Sequence, residues 1–181
     1  MTIRNLRAMP WIGEDPVLDL ANTVICGAGP THADIDLFAD AELTASWRAR
    51  ATERRLALLP LEDLTVLRDL TRAALDASAG QRALPESVRT ELNELASAAP
   101  VTFLVTADGR LDQRDTGGPA QAAAARQALL LAAGPEQARL RRCHAPSCGM
   151  FFLARRRDQA WCSLGCGNRA RSARRKPQAP A

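Results

Sequence analysis

Tyrosine is absent from this 181-residue chain, and lysine occurs once against 23 arginines. Aromatic residues make up only 4%, so each tryptophan and phenylalanine carries a large share of the packing. The arginine bias, alongside abundant alanine, reads as a trait of genome composition rather than of function. No apolar run approaches the roughly 20 residues of a membrane span. The start, MTIRNLRAMPWIGEDP, has no apolar signal-peptide core, so export is not expected and a cytoplasmic location is. With two histidines in the chain, no metal-binding His pair is present. Nor is there a serine nucleophile elbow or a phosphate-cradling glycine loop. An enzyme is therefore not expected.

The net charge of +4 conceals a division. Residues 139–176 hold 11 Arg/Lys and one acid, Asp158, whereas residues 1–138 hold 13 basic and 19 acidic groups. A weakly acidic body with a strongly basic end suggests two modules, 1–138 and 139–181, with different partners. The basic module suits a polyanion, of which nucleic acid is the commonest. On charge alone, a solvated arginine-rich tail reads equally well.

The body reads as helical. Asp15 can cap a helix opened by Pro16, with Val17, Leu20, Ala21 and Val24 on one face until Gly27 and Gly29-Pro30 stop it. Further helices are expected from Asp40 to about Ala51, over about 61–78 and 86–98, and over about 120–133. Val101–Thr106 is β-branched and aromatic, and Asp108-Gly109 then signals a hairpin returning over Leu111–Asp115. A lone two-stranded hairpin is marginal, so it is expected to pack on the helices. Asn22 is an amide inside an apolar run: it either faces water or satisfies a nearby backbone group, or it lines a small-molecule pocket. Cys26 reads as a small buried hydrophobe, and His32 as a solvated loop residue.

The five cysteines are an odd set in a chain with no export signal, which argues against a disulfide scaffold. Four of them, Cys143, Cys148, Cys162 and Cys166, follow the spacing C-x4-C, thirteen residues, C-x3-C. Two short pairs at this separation suit one tetrahedral Zn2+. An iron–sulfur cluster, free thiols and a redox pair are the alternatives. Four thiolates leave no open coordination position, so the ion is structural rather than hydrolytic. His144 is read as a bystander. The segment is too short to fold by apolar burial alone, and metal binding supplies the missing free energy. Met150, Phe151, Phe152, Leu153 and Trp161 are the expected mini-core over the metal. Arg155, Arg156 and Arg157 lie between the cysteine pairs. After Cys166, a short helix places Arg171, Arg174 and Arg175 on one face.

From Trp161 to Arg169 the chain resembles the CGNR zinc-finger family, whose name-giving motif is Cys166-Gly167-Asn168-Arg169. The turn from Cys143 to Gly149, the aromatic pair after it and the arginine-rich loop resemble it too. Leu18-Asp19-Leu20-Ala21-Asn22-Thr23-Val24 is similar to the early motif of the ABATE domain that usually precedes this finger, and Leu67-Arg68 fits the same pattern. One departure is that three residues separate Cys162 from Cys166 where the family usually has four. The resemblance implies a mainly α fold with one small β-hairpin: a helical N-terminal domain and a treble-clef-like C-terminal finger. It also implies a bacterial stress-induced transcription regulator, a label that is itself predicted for the family. On this reading DNA is contacted by Arg155, Arg156, Arg157, Asn168, Arg169, Arg171, Arg174 and Arg175. The body senses a small-molecule effector or mediates assembly, with a homodimer as one form. The rival readings are an interaction module whose finger is a structural or dimerisation element, and an enzyme with a pocket near Asn22.

Overall fold

The computed structural model describes residues 11–27, 33–115 and 117–175. Gly29-Pro30, His32 and Lys176 lie outside the described residues. Helix α1 spans Pro16–Ala21, where Asp15 Oδ1 accepts from the amides of Val17 (2.7 Å) and Leu18 (3.3 Å). This is the predicted cap, but the helix is shorter than expected. Thr23, Val24 and Ile25 are β-branched and lose rotamer freedom in a helix. The Thr23 hydroxyl instead donates to Leu20 O (2.8 Å). Val24–Ile25 becomes strand β1, paired antiparallel with β2, Ile35–Asp36.

A 3-10 turn, Leu37–Ala39, leads into α2, Ala41–Arg50, capped by Asp40. Trp47 on α2 is buried edge-on to Phe38 at 5.2 Å and donates its indole N–H to Asp19 O (3.3 Å). The short α3, Arg54–Ala57, was not anticipated; its Leu56 and Ala57 complete the same wall. The long helices are α4, Leu61–Ala79, α5, Glu86–Ser97, and α6, Ala120–Ala133.

Alanine explains how these three meet. Ala122, Ala124, Ala125, Ala128 and Ala132 bury one flank of α6, and side chains this small let neighbouring helix backbones approach closely. Leu64, Leu67, Ala74 and Leu75 of α4 and Val17, Leu18, Leu20 and Ala21 of α1 close the core over it. No helix among the described residues is long and apolar enough to cross a membrane.

Strands β3, Val101–Val105, and β4, Leu111–Asp115, form the predicted hairpin, with Phe103 opposite Gln113 and Val105 opposite Leu111. It does not pack on the helices as expected. Phe103, Val105 and Leu111 are 59%, 68% and 69% exposed. Its base is what is anchored. Gly118, at φ +108°, passes so close to Ala98 that an added Cβ would sit 2.6 Å from that carbonyl. Arg126 donates to Ala99 O and Arg55 to Gly118 O.

A 3-10 segment, Pro135–Arg139, delivers the chain to β5, Leu140–Arg142, which pairs antiparallel with β6, Phe151–Leu153. The chain ends its described course in α7, Leu164–Arg175. The architecture is thus mainly helical. Besides the expected hairpin the described residues hold two further short strand pairs, and the C-terminal knuckle, strand pair and helix are treble-clef-like.

Strand β6 divides its side chains in the alternating manner of any strand. Phe152 joins Cys143, Cys148, Met150 and Cys166 in one cluster, while Phe151 enters the helical core with Leu140, and Leu153 packs against it. The expected mini-core over the metal is therefore only Met150, Phe152 and Trp161 of the five residues named. Phe151 and Leu153 belong to the body.

Candidate zinc centre and its arginine surface

Cys143 directly follows β5, and Cys148 closes the turn that returns to β6. The turn needs the left-handed region at two places, Ser147 (φ +55°) and Gly149 (φ +71°). Turning this tightly aims backbone amides at sulfur: Ala145 N–H donates to Cys143 and Met150 N–H to Cys148. Cys162 lies just ahead of α7 and Cys166 in its first turn. Four positions apart, both reach one side of the helix start, which is how the short C-x3-C spacing is accommodated.

The four sulfurs lie within 4.8 Å of one another. Cys148 to Cys162 is 3.7 Å, Cys162 to Cys166 is 3.4 Å and Cys166 to Cys148 is 3.6 Å. A disulfide needs about 2.05 Å, and none is formed. A tetrahedron with Zn–S bonds of about 2.3 Å has sulfur–sulfur edges of about 3.8 Å, so the donor set fits one zinc ion. Crowding four thiols this closely splits their acidities. Cys143 is held far below the ordinary thiol range because the Cys148 and Cys162 thiols donate to its sulfur. Cys148 and Cys162 are pushed up, chiefly because they donate to Cys143. A dication resolves this conflict by taking all four as thiolates. His144 is exposed and outside the cluster.

Around this centre lie the arginines. Arg155, Arg156, Arg157, Arg169, Arg171 and Arg174 are exposed. Arg155, Arg156 and Arg171 line one cleft, which joins the inter-cysteine loop to the helix. Arg174 stands over the Trp161 ring, 5.9 Å from its centroid. Nothing is described of the Arg175 side chain.

Comparison with known families matches almost the whole chain. The ABATE profile, described as "Putative stress-induced transcription regulator", covers residues 14–135, and the CGNR zinc-finger profile covers 139–177. The chain belongs to the ABATE family and ends in a CGNR zinc finger. A search of curated proteins finds no match. The cofactor of the CGNR finger is one structural Zn2+, which the four clustered cysteines fit.

The CGNR tetrapeptide itself has a local explanation. Cys166 brings a sulfur to the metal cluster. Gly167 lies against the Trp161 ring, where an added Cβ would be 3.2 Å from Cδ1. Asn168 Oδ1 accepts from Arg171, holding that guanidinium along the helix. Arg169 Nη2 donates to Cys166 Sγ (3.0 Å), placing a positive charge on a metal-binding sulfur. Expected at first as a nucleic-acid contact, Arg169 is also a prop for the metal site.

Asn22 is held by backbone. It is buried, its Nδ2 donates to Phe151 O (2.9 Å), and its Oδ1 accepts from Phe151 N (2.7 Å). The amide thus acts as a strand neighbour to β6, fastening the ABATE domain to the finger. Of the readings of Asn22 given above, this arrangement favours the one in which the amide satisfies backbone groups over the one in which it lines a pocket.

Four further contacts were not legible beforehand. Cys26 N–H donates to Cys148 O (3.1 Å) and Ser147 Oγ to Gly27 O (3.0 Å). Arg142 pairs with Asp76 and donates to Cys26 Sγ (3.3 Å). Cys26 is half-buried against Gly149, where an added Cβ would sit 2.7 Å from its sulfur.

Proposed function

We propose that this protein is a cytoplasmic transcription regulator that binds duplex DNA through its zinc finger. Cys143, Cys148, Cys162 and Cys166 hold the ion and form the finger with residues 139–181. Residues 1–138 form the sensing or assembly domain. Phosphates are met by Arg155, Arg156, Arg157, Arg171, Arg174 and Arg175, with Asn168 positioning Arg171 and Arg169 shared between the metal site and solvent. The observation that carries this reading is the convergence of loop and helix guanidiniums on one metal-braced surface, since a rigid cationic array gains affinity by releasing counterions from DNA. The closed donor set, with no acid–base constellation among the described residues, favours a binding role over an enzymatic one.

A gel-shift series against salt tests it. Duplex binding should weaken steeply with salt, and each of Arg156→Gln and Arg171→Gln should lower the salt slope by about 1. Failure to bind any duplex at low salt overturns it. The bonds from Asn22 and Cys26 into the finger, with the ion pair of Arg155 and Glu14 (3.1 Å), favour a second reading, in which the finger is a structural element of the ABATE domain and meets an acidic protein instead. Truncation at residue 138 discriminates: an unchanged body stability counts against that second reading.

A further inference from the structure

The cleft that gathers Arg155, Arg156 and Arg171 is lined by residues of both the body and the finger. Its volume is about 690 Å3, within the range of small-molecule sites. Trp11 and Ile12 of the body line it, with Trp161, Ser163 and Gly167 of the finger among the residues opposite. Both indoles are half-buried and held by cations. Arg50 stands 5.0 Å over Trp11, and Arg174 5.9 Å over Trp161. The rings are therefore braced walls rather than loose side chains.

The lining is also unbalanced in charge, with three guanidiniums against Glu14 and Asp158. Glu14 is engaged by Arg155 (3.1 Å). Asp158 lies 3.9 Å from Arg156, with both side chains at least 80% exposed, and a pair of that kind contributes little. Arg156 thus keeps nearly all its donors, and Arg171 keeps those not used on Asn168. Planar rings at the wall and fork-shaped cations at the rim are complementary to one chemistry, an aromatic ring bearing a carboxylate or phosphate.

We propose that this cleft is a binding site for a small planar anion, seated against the indoles with its charge on Arg156 and Arg171. Such a ligand touches the body and the finger at once, so its occupancy biases how the arginine loop is held. The site does not depend on the DNA reading.

The three tryptophans make it directly testable, because Trp11 and Trp161 line the cleft while Trp47 is buried elsewhere. Zinc-loaded full-length protein labelled with 15N is titrated with 1-naphthoate and, separately, with adenosine monophosphate, the two sources of a planar anion. Inorganic phosphate and cyclohexanecarboxylate serve as controls. The expected result is saturable movement of the Trp11 and Trp161 indole signals with Trp47 fixed. Affinity should fall at least tenfold in the Arg156→Gln/Arg171→Gln double variant, whose substitutions are exposed and leave the circular dichroism unchanged. The tighter of the two probes identifies the anionic group preferred. No movement with either probe at about 10 mM, equal binding by the double variant, or an equal response to the controls overturns the proposal. The titration contains no DNA. Lost DNA binding with retained ligand binding defeats only the regulator reading, and the reverse defeats only the cleft.

Discussion

The helical body and the finger reach order by different means, although they share a boundary strand. In the body, leucines and alanines from α1, α4 and α6 bury one another, and apolar burial at about 25 cal/mol per Å2 is the main driving term. Among its described residues the finger has one strand pair, one helix and a few apolar side chains. Its Met150, Phe152 and Trp161 pack in one small cluster with the cysteines. What the finger lacks in burial it obtains from the metal and from Phe151, which it lends to the body. A small module can therefore be fixed without a core of its own, provided that an ion holds one side and a larger neighbour holds the other.

Removing the ion should break the comparison most severely. Structural zinc sites in finger peptides contribute about 10 kcal/mol or more, so chelation should abolish hydrogen-exchange protection over residues 140–175 while α4 and α6 retain theirs. Loss of protection throughout the chain would mean that the body has no independent stability. Next in size is the shared side chain. Phe151→Ala opens a cavity in the helical core, and losses of about 3–5 kcal/mol are usual for such truncations. Denaturant unfolding should show the body itself destabilised, whereas Phe152→Ala should act chiefly on zinc affinity.

Asn22→Leu comes third. It removes both bonds to Phe151 and leaves a buried N–H and C=O unpaired, at about 1–3 kcal/mol for each group. Faster exchange at the Phe151 amide would report the loss directly. If that amide and the unfolding midpoint stayed unchanged, the fastening role assigned to Asn22 would be wrong.

What could be read beforehand follows the range of the interactions. Helices α2, α4, α5 and α6 were legible because their signals are local: a cap, a 3.6-residue period and a stop. The four thiolates were legible because zinc imposes its own spacing. Asn22 was not, because its partner lies 129 positions away, and nothing near residue 22 distinguishes a strand-mimicking amide from a pocket amide. The overlong α1 came from counting Val24 as helical periodicity, when β-branching and the partner strand Ile35–Asp36 decide that stretch. The division of Phe151 from Phe152 was missed because the alternation becomes visible only once both faces of β6 are known to be covered.

The smallest effect, and the one that sharpens the comparison within the body itself, concerns Asp19. This carboxyl is 4% exposed on the core-facing side of α1. It accepts from Gly13 N–H at Oδ1 (3.0 Å), and its Oδ2 has no partner among the described residues. Burial pushes its pKa up from 3.8 to about 6, with Asp15 and Glu14 adding to the rise and the Gly13 bond and Arg50 opposing it. Because the folded chain then binds this proton more tightly than the unfolded one, the group's contribution to stability is full below pH 3.8. It declines as pH rises to about 6 and is flat above that. Asp19→Asn keeps an acceptor for Gly13 while removing the buried charge. It should stabilise the protein at pH 7 by on the order of 2 kcal/mol and flatten the pH 4–6 portion of its unfolding profile. The finger supplies the control, since its acid sensitivity has the opposite sign: protons compete with zinc for the thiolates. Acid should therefore loosen residues 140–175 while relieving the strain at Asp19, and hydrogen exchange followed from pH 7 to pH 5 would separate the two regions in one experiment.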